Sequence, residues 1–362
     1  MPELPEVEHY RHILLSLVGK IKGKGKKQSQ SVHLDFGPPP LPTKRFLAER
    51  TLRLINEGDY EISDVLRKGK VLCVVLKKIS ETDTTAAKEG DNNFTINEEA
   101  DITGKEATIL ISLHMGMTGR ISSPNHVPKL ESLSDESSYP PPHTHLIINS
   151  ANGQQACFSD PRRFGSVFVH SYDCQSDIGD DYVPAFQELA PDALAASAKG
   201  SDLDIVSKLA NQKKVIKAIL LDQRQVMSGI GNWVADEVLY RSRLHPDQSF
   251  LTTSEASKLV SEIHHVLSTA VTCLNDEEEQ LPEQWLFHRR WRGGGNTGTN
   301  PKDCNGMKMS FVKSGGRSSA IIPSLQKKVA RKAIAADSKT TTTCEKKKSA
   351  TKPRTSVKRR KT

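Results

Sequence analysis

Apolar positions near the start of the chain recur with a helical period. Val7, Tyr10, Leu14 and Leu17 share one face, and Pro5 stands where a first-turn proline is harmless. Glu6 and Glu8 suit the positive end of the helix dipole. Gly19 and the Lys/Gly run to Lys27 end this element. The pattern then changes to short, β-branched apolar runs. Val71–Leu76, Thr108–Leu113, His145–Ile148, Gln155–Phe158 and Val167–Val169 predict strands. Asn152-Gly153, between the third and fourth of these, predicts a hairpin turn. Two polar segments, Ser80–Glu106 and Ser122–Pro142, read as surface insertions or disorder. Up to about residue 184 this is a β-sandwich with one N-terminal helix.

After Pro184 the period becomes helical again. Segments 185–198, 202–210, 213–222, 232–242 and 254–275 fit helices, and Asn275–Gln280 reads as an acidic loop. Gly293–Pro301 is too rich in Gly, Asn and Thr for regular structure. Met307–Phe311 and Ser319–Ile322 read as two strands around Ser314-Gly-Gly-Arg317. The last stretch, from Lys327, is rich in Lys, Ser and Thr and reads as a disordered tail. The fold class is therefore α+β and multidomain.

Composition narrows the function classes. Of the 362 residues 36% are apolar, enough for a core, and no apolar run approaches the ~18 residues of a membrane span. The acidic start, Met-Pro-Glu-Leu-Pro-Glu-Val-Glu, has no apolar region of the secretory type. Cysteines 73, 157, 174, 273, 304 and 344 are scattered, with no C-x-x-C, which speaks for reduced thiols rather than a disulfide scaffold or zinc ribbon. The net charge of +8 is unevenly spread. Residues 327–362 hold fourteen Lys/Arg against two Asp/Glu, a net of +12, so the remainder carries −4 (+8 less +12). Overall basicity alone is thus weak evidence for nucleic-acid binding.

Three features carry candidate chemistry. Pro2 permits removal of Met1, which would expose a secondary amine, and an α-amino group has a pKa near ~8. Such an amine condenses with an aldehyde-equivalent carbon to an iminium, cationic without an added proton and therefore an electron sink for elimination. Glu3 beside it is a candidate proton donor. Taken alone, Pro-Glu is a common way to begin a helix. The second feature is Lys213–Asp222, then Val226-Met-Ser-Gly-Ile-Gly-Asn232, then Trp233–Arg241: two helices joined by a Gly-containing turn. Gly229 and Gly231 allow tight backbone geometry, Asn232 is placed to cap the second helix while free N–H groups face a phosphate, and Lys217 lies within reach. The third is a pair of short loops, His114-Met-Gly-Met-Thr118 and Asp160-Pro-Arg-Arg-Phe-Gly165, whose Met, Arg and Phe could wedge into a base stack. Singly, Met117 and Phe164 would pass for core residues and Asp160 for a turn former.

With these motifs in this order, the chain resembles the formamidopyrimidine-DNA glycosylase/endonuclease VIII family over roughly residues 1–327. Pro2–Glu8 is similar to the family's N-terminal signature, and Lys70 falls at its β-hairpin lysine. Met117, Arg162 and Phe164 match the residues that fill the gap left by a flipped nucleotide in the formamidopyrimidine branch. Lys217, Asn232 and Glu237 match positions of the helix–two-turn–helix module, and Arg317 matches the arginine of the zinc-finger hairpin. Ile322 and Leu325 stand where the bacterial pattern has zinc ligands, and Cys304 is a lone thiol near the first pair, as in the zincless finger of plant and fungal relatives. His143 and His145 share a strand face with no evident partner.

The resemblance implies a bifunctional glycosylase and abasic-site lyase of base excision repair, acting on oxidised purines in duplex DNA, as a monomer, with no diffusible cofactor and no metal. Pro2, Glu3 and Lys70 are then catalytic; Lys217, Asn232 and Arg317 hold phosphates; Met117, Arg162 and Phe164 fill the void; His114 and Glu237 support the site. The domains expected are a catalytic sandwich (1–184), a helix–two-turn–helix domain (185–300), a zincless finger (301–327) and a basic tail (328–362). Bacterial relatives place a long mobile lid before the finger, and here Asp276–Pro282 leads directly to Trp285–Trp291, with little slack for one. Val357-Lys-Arg-Arg-Lys361 is a cluster of the nuclear-localisation type. The alternative is a non-catalytic helix–two-turn–helix nucleic-acid binder, which leaves Pro2–Glu3, Lys70 and Arg317 without a joint purpose. An endonuclease VIII-like pyrimidine specialist is disfavoured by Met117, Arg162 and Phe164 occurring together.

Overall fold

A computed structural model describes residues 2–18, 32–35, 49–79, 107–125, 139–150, 152–173, 179–198, 202–276, 280–290 and 301–329. The chain opens with helix α1 (Leu4–Leu15), strand β1 (His33–Asp35) and helix α2 (Glu49–Glu57). Seven strands follow: β2 (Tyr60–Lys68), β3 (Val71–Lys78), β4 (Thr108–His114), β5 (Arg120–Ser122), β6 (Thr144–Asn149), β7 (Gln155–Ser159) and β8 (Ser166–Tyr172). Together with β1 they form two four-stranded antiparallel sheets, ordered β1-β6-β7-β5 and β2-β3-β4-β8. The expected sandwich is present, but a second helix, α2, joins the one expected at the N-terminus, and the short strands β1 and β5, three residues each, add to the strands expected.

Strand β3 is apolar throughout because both its faces are covered. Leu72, Val74 and Leu76 enter the sandwich core, while Val71, Cys73 and Val75 meet Val183 and Phe186 on the other side. Strand β2 escaped sequence reading because a register shift between Ile62 and Asp64 breaks its alternation. Ser122 closes β5 rather than opening an insertion, and Thr144–Asn149 resumes the sheet. Residues 80–106 and 126–138, the bulk of the two expected insertions, lie outside the described residues, as does the tail from 330.

The second half holds α3 (Pro184–Gln187), α4 (Ala193–Ala198), α5 (Asp202–Ala210), α6 (Ile216–Leu221), α7 (Asn232–Ser242), α8 (Thr253–Asn275) and α9 (Phe287–Arg290). The single helix expected over 185–198 is two. Pro191 interrupts it, and Asp192 restarts it by accepting hydrogen bonds from the Leu194 and Ala195 N–H groups at 3.1 and 3.0 Å. The long helix α8 starts on a capping box between Thr252 and Glu255 and lies at the centre of the helical core. Last comes an antiparallel hairpin, β9 (Ser310–Ser314) and β10 (Arg317–Ile321), turning through Gly315 and Gly316 at positive φ; its strands run closer to the turn than the expected Met307–Phe311 and Ser319–Ile322, because pairing continues to Ser314 and Arg317.

Helix α1 serves both cores. Val7, Tyr10, Ile13, Leu14 and Leu17 pack into the sandwich, whereas Leu4 belongs to the helical cluster. The residues just before α1 are thereby held at the junction. A buried ion cluster reinforces it: Arg67 of β2 pairs with Glu8 of α1 and with Asp192 at the start of α4. Among the described residues no helix is long and apolar enough to cross a membrane.

Candidate active site

A cleft of about 390 Å³ opens at this junction, lined by Pro2, Glu3, Lys70, His114, Met115, Gly116, Met117, Leu221, Gln223, Asn232 and Arg317. Five separate stretches of chain thus meet there: the N-terminus, the β2–β3 turn, the loop after β4, the two-turn segment and the C-terminal hairpin.

The N-terminal residues are seated in the two-turn segment. The Glu3 carboxylate accepts hydrogen bonds from the Trp233 and Val234 N–H groups at 2.8 and 3.0 Å, at the positive end of α7. The Leu4 N–H donates to the Gly229 carbonyl at 3.0 Å. This fit explains both glycines. A Cβ on Gly231 would lie 2.2 Å from Glu3 Cδ; on Gly229, which has φ +105°, it would lie 2.4 Å from Leu4 Cδ1. Gln223 braces the turn from inside, donating to the Leu221 and Ile230 carbonyls and accepting from the Gly229 N–H, at 2.9, 2.9 and 2.8 Å.

Glu6 sits beneath Glu3. It accepts from the Glu3 N–H at 3.2 Å and from Trp233 Nε1 at 3.0 Å. Burial, and then the nearby Glu3 charge, push its carboxyl up to about 7. Lys70 follows Gly69 in the β2–β3 turn, and that turn is fixed by the Gly69 N–H donating to Asp192 at 2.8 Å. Burial lowers the Lys70 pKa, with Glu3 and Glu6 acting in the opposite sense. His114, at the end of β4, is lowered by burial and then by Lys70, so it favours the neutral form. Its Nδ1 accepts from the Gly116 N–H at 3.2 Å.

The two wedge loops touch. Gly116, at φ +60°, leaves no room for a Cβ against the Phe164 backbone. The fully buried Asp160 ties them together by accepting from Thr118 Oγ1 at 2.5 Å, the Arg162 N–H at 3.2 Å and the Gly165 N–H at 2.7 Å. It is the turn former expected, and it also spans both loops. The Arg162 guanidinium lies 4.9 Å from the Phe164 ring centroid, and Phe164 is 46% exposed. Met117 lines the cleft; Arg162 and Phe164 stand outside it on the adjoining loop. The two histidines expected on one strand face do not share it: His145 lies in β6 and hydrogen-bonds the Asp160 carbonyl at 3.0 Å, whereas His143 lies in the turn before it, at φ +60°, and is exposed.

Three expectations need correction. Asn232 is not the cap of α7: Gly231 occupies that position, and the Asn232 amide donates to the Ser318 carbonyl of β10 at 3.2 Å. The α7 N–H groups expected to face a phosphate are taken by Glu3. Lys217 does not reach the cleft. It is fully buried, ion-paired with Asp236, and donates to the Asn232 carbonyl at 3.1 Å. Glu237 is also buried and held up to about 7 by desolvation; it accepts from the Phe287 N–H at 3.1 Å, away from the cleft.

The family models described as "Formamidopyrimidine-DNA glycosylase N-terminal domain" and "Formamidopyrimidine-DNA glycosylase H2TH domain" match residues 1–167 and 189–278. A formamidopyrimidine-DNA glycosylase of Novosphingobium aromaticivorans is 30% identical over 233 residues, which cover 62% of this chain and 77% of that one. The chain belongs to the formamidopyrimidine-DNA glycosylase family. The Arabidopsis thaliana member is 33% identical over 201 residues, 55% of this chain; the match spans about half (47%) of that relative's length. Among solved structures, the MutM (Fpg) protein of Thermus thermophilus is similar at TM-score 0.56 and 26% identity, over 91% of this chain and 100% of that one. The Lactococcus lactis enzyme, solved non-covalently bound to DNA containing an abasic site, shares the fold at TM-score 0.55 and 20% identity, over 90% and 100% of the two chains.

Within this family the finger of the present chain is built on apolar contacts. Leu286, Met309, Ala320 and Ile322 form a buried cluster, with Tyr240, Met307 and Leu325 against it. Asp303 organises the preceding turn, accepting from Tyr240 Oη at 3.0 Å and from the Asn305 and Met307 N–H groups at 3.0 and 2.8 Å. Cys304 is exposed. Among the described residues no group of three or more His, Cys, Asp or Glu could hold a metal ion.

Sequence reading missed Gln223, Asp236 and the role of Glu6. For Glu6 a signal existed: Glu3 and Glu6 have capping-box spacing. Gln223 gave none because it bonds nearby backbone groups, which leave no mark on the side-chain pattern, and Asp236 gave none because its partners Lys217, Arg290 and Ala320 are distant in sequence.

Proposed function

We propose that Pro2, freed of Met1, is the nucleophile of a DNA glycosylase and abasic-site lyase that excises oxidised bases from duplex DNA in base excision repair. The observation that carries this reading is the convergence of Pro2, Glu3, Lys70 and Arg317 on one cleft. The Pro2 nitrogen attacks C1′ of the extruded nucleotide, and the C1′–base bond breaks with protonation of the departing base, assisted by Glu3. Glu6, whose carboxyl is pushed up to about 7, is placed to hold a proton beside Glu3. The amine proton passes to O4′ as the C1′–O4′ bond opens, which leaves an iminium between C1′ and the Pro2 nitrogen. Its electron-withdrawing carbon supports β-elimination of the 3′ phosphate and then δ-elimination of the 5′ phosphate. Lys70, with a lowered pKa, is suited to proton transfer during elimination. Arg317 and Asn232 line the rim where the backbone would pass, and Met117, Arg162 and Phe164 would occupy the vacated stack.

A binding role without chemistry gives no account of Pro2 and Glu3 being built into the floor of the cleft. Borohydride trapping separates the two readings. A covalent adduct with abasic duplex DNA is expected from protein lacking Met1 and none from protein retaining it; absence of adduct with every abasic and oxidised duplex would favour the binder.

We further propose a lesion order. Leu281 and Trp285 are buried in the helical core, which supports the reading that residues 280–290 furnish no lid; 291–300 lie outside the described residues. An 8-oxoguanine that needs lid amides would lose those contacts. Ring-opened formamidopyrimidines, hydantoins and abasic sites should therefore be cleaved faster than 8-oxoguanine opposite cytosine in single-turnover assays. Equal rates would refute the lid argument alone. DNA repair points to a nuclear or organellar site of action, and Val357–Lys361 supports the nucleus. We retain the domain division 1–184, 185–300 and 301–327, with Leu4 counted in the helical core.

A further inference from the structure

The C-terminal hairpin reaches the cleft through Arg317, yet a two-stranded hairpin is marginal by itself. Its outer edge needs a partner. Asp236, on the second helix of the two-turn module, is 1% exposed and faces that edge. Its Oδ2 accepts from the Ala320 N–H at 3.2 Å, three residues beyond Arg317, and from Arg290 Nη2 at 2.7 Å. Its Oδ1 pairs with Lys217 of α6. One carboxylate therefore joins α6, α7, α9 and β10. Asn232 adds a bond to the Ser318 carbonyl, and Gly315 packs so closely on α6 that a Cβ would stand 2.9 Å from the Ala218 nitrogen. Arg317 lies between these anchors.

We propose that Asp236 is a positioning residue for Arg317, holding the hairpin edge at Ala320 so that the guanidinium stays aimed into the cleft. Two cations compete for this carboxylate, and it still accepts a backbone N–H from the hairpin. A neutral acceptor between Lys217 and Arg290 would hold that N–H less firmly. The inference rests on Arg317 acting as a DNA contact, as proposed above.

The test is a double-mutant cycle in the full chain, read as equilibrium binding to a duplex carrying a tetrahydrofuran abasic analogue. Arg317→Ala and Asp236→Asn should each weaken binding about tenfold, the loss of one charge-assisted contact. Each should lower the slope of log K against log salt by about one. The double variant should bind no more weakly than Arg317→Ala alone, because Asp236 acts through that residue. Asp236→Glu keeps the charge beside Lys217 and shifts the carboxylate by one methylene; it covers the case in which Asp236→Asn does not fold, and should show a smaller loss with the same non-additivity. Additive losses in folded variants, with an unchanged salt slope for Asp236→Asn or Asp236→Glu, would overturn the inference. An Arg317→Ala protein that binds like wild type would instead overturn the assignment of Arg317.

Discussion

Glu3 and Trp233, 230 positions apart, are joined by a hydrogen bond of 2.8 Å from the Trp233 N–H to the Glu3 carboxylate. The second carboxylate oxygen takes the Val234 N–H. A helix N-terminus that could hold a phosphate holds instead the side chain next to the proposed nucleophile. On the mechanism proposed above, the helical module therefore orients the chemistry.

Gly231→Ala tests that coupling. Its Cβ would stand 2.2 Å from Glu3 Cδ, so Glu3 must leave its two N–H partners. Displacement on this scale should cost about 10²-fold in kcat/KM for base excision, measured in single-turnover assays on a formamidopyrimidine duplex. Binding to the abasic analogue should fall far less. Full excision activity would show that Glu3 does not need the α7 terminus.

Glu237→Gln should change how stability depends on pH. Burial raises this carboxyl from 4.5 to about 7 in the folded protein. Folding then takes up a proton between those values. The stabilisation is fully present below about pH 4.5 and is lost as pH rises through about 7, on the order of 3 kcal/mol in all. The glutamine variant should lack this decline and exceed wild type in stability at pH 8, by urea unfolding at a series of pH values. Parallel curves for the two proteins would contradict the assignment.

The finger should depend on packing rather than on metal. Ile322 is fully buried, and Ile322→Ala should cost about 2–5 kcal/mol locally. Its expected signature is weakened DNA binding with the sandwich and helical domains still folded. Chelator treatment should leave wild-type activity intact. Stoichiometric zinc, with activity lost on chelation, would reverse this picture.

Deleting residues 328–362 removes most of the +12 tail. Excision and nicking at saturating DNA should survive, while affinity falls and its salt dependence flattens. A fluorescent reporter carrying the tail should accumulate in the nucleus. Cytosolic retention would remove the targeting role and leave the electrostatic one.

Much of the architecture was legible from local pattern. Helix α5 spans the expected 202–210 and α7 the expected 232–242, because their apolar residues repeat with the helical period. The strands at 71, 108, 145, 155 and 167 were found because each buries at least one face. Strand β2 was lost to its bulge, and the helix over 185–198 was read as continuous although Pro191 breaks it.

The apolar finger base at Ile322 and Leu325 was expected from the family resemblance. By itself the sequence determined a sandwich followed by helices, without β1, α2, β2 and β5. These follow from periodicity and residue type, which act within a few residues along the chain. The tertiary structure alone decided which polar group meets which. Periodicity does not encode that the α7 N–H groups would be claimed by Glu3, or that Lys217 would be buried against Asp236 rather than face a phosphate. Such pairings are set by how two cores dock on α1, where burial compels each charge to take the nearest opposite partner whatever its distance in sequence.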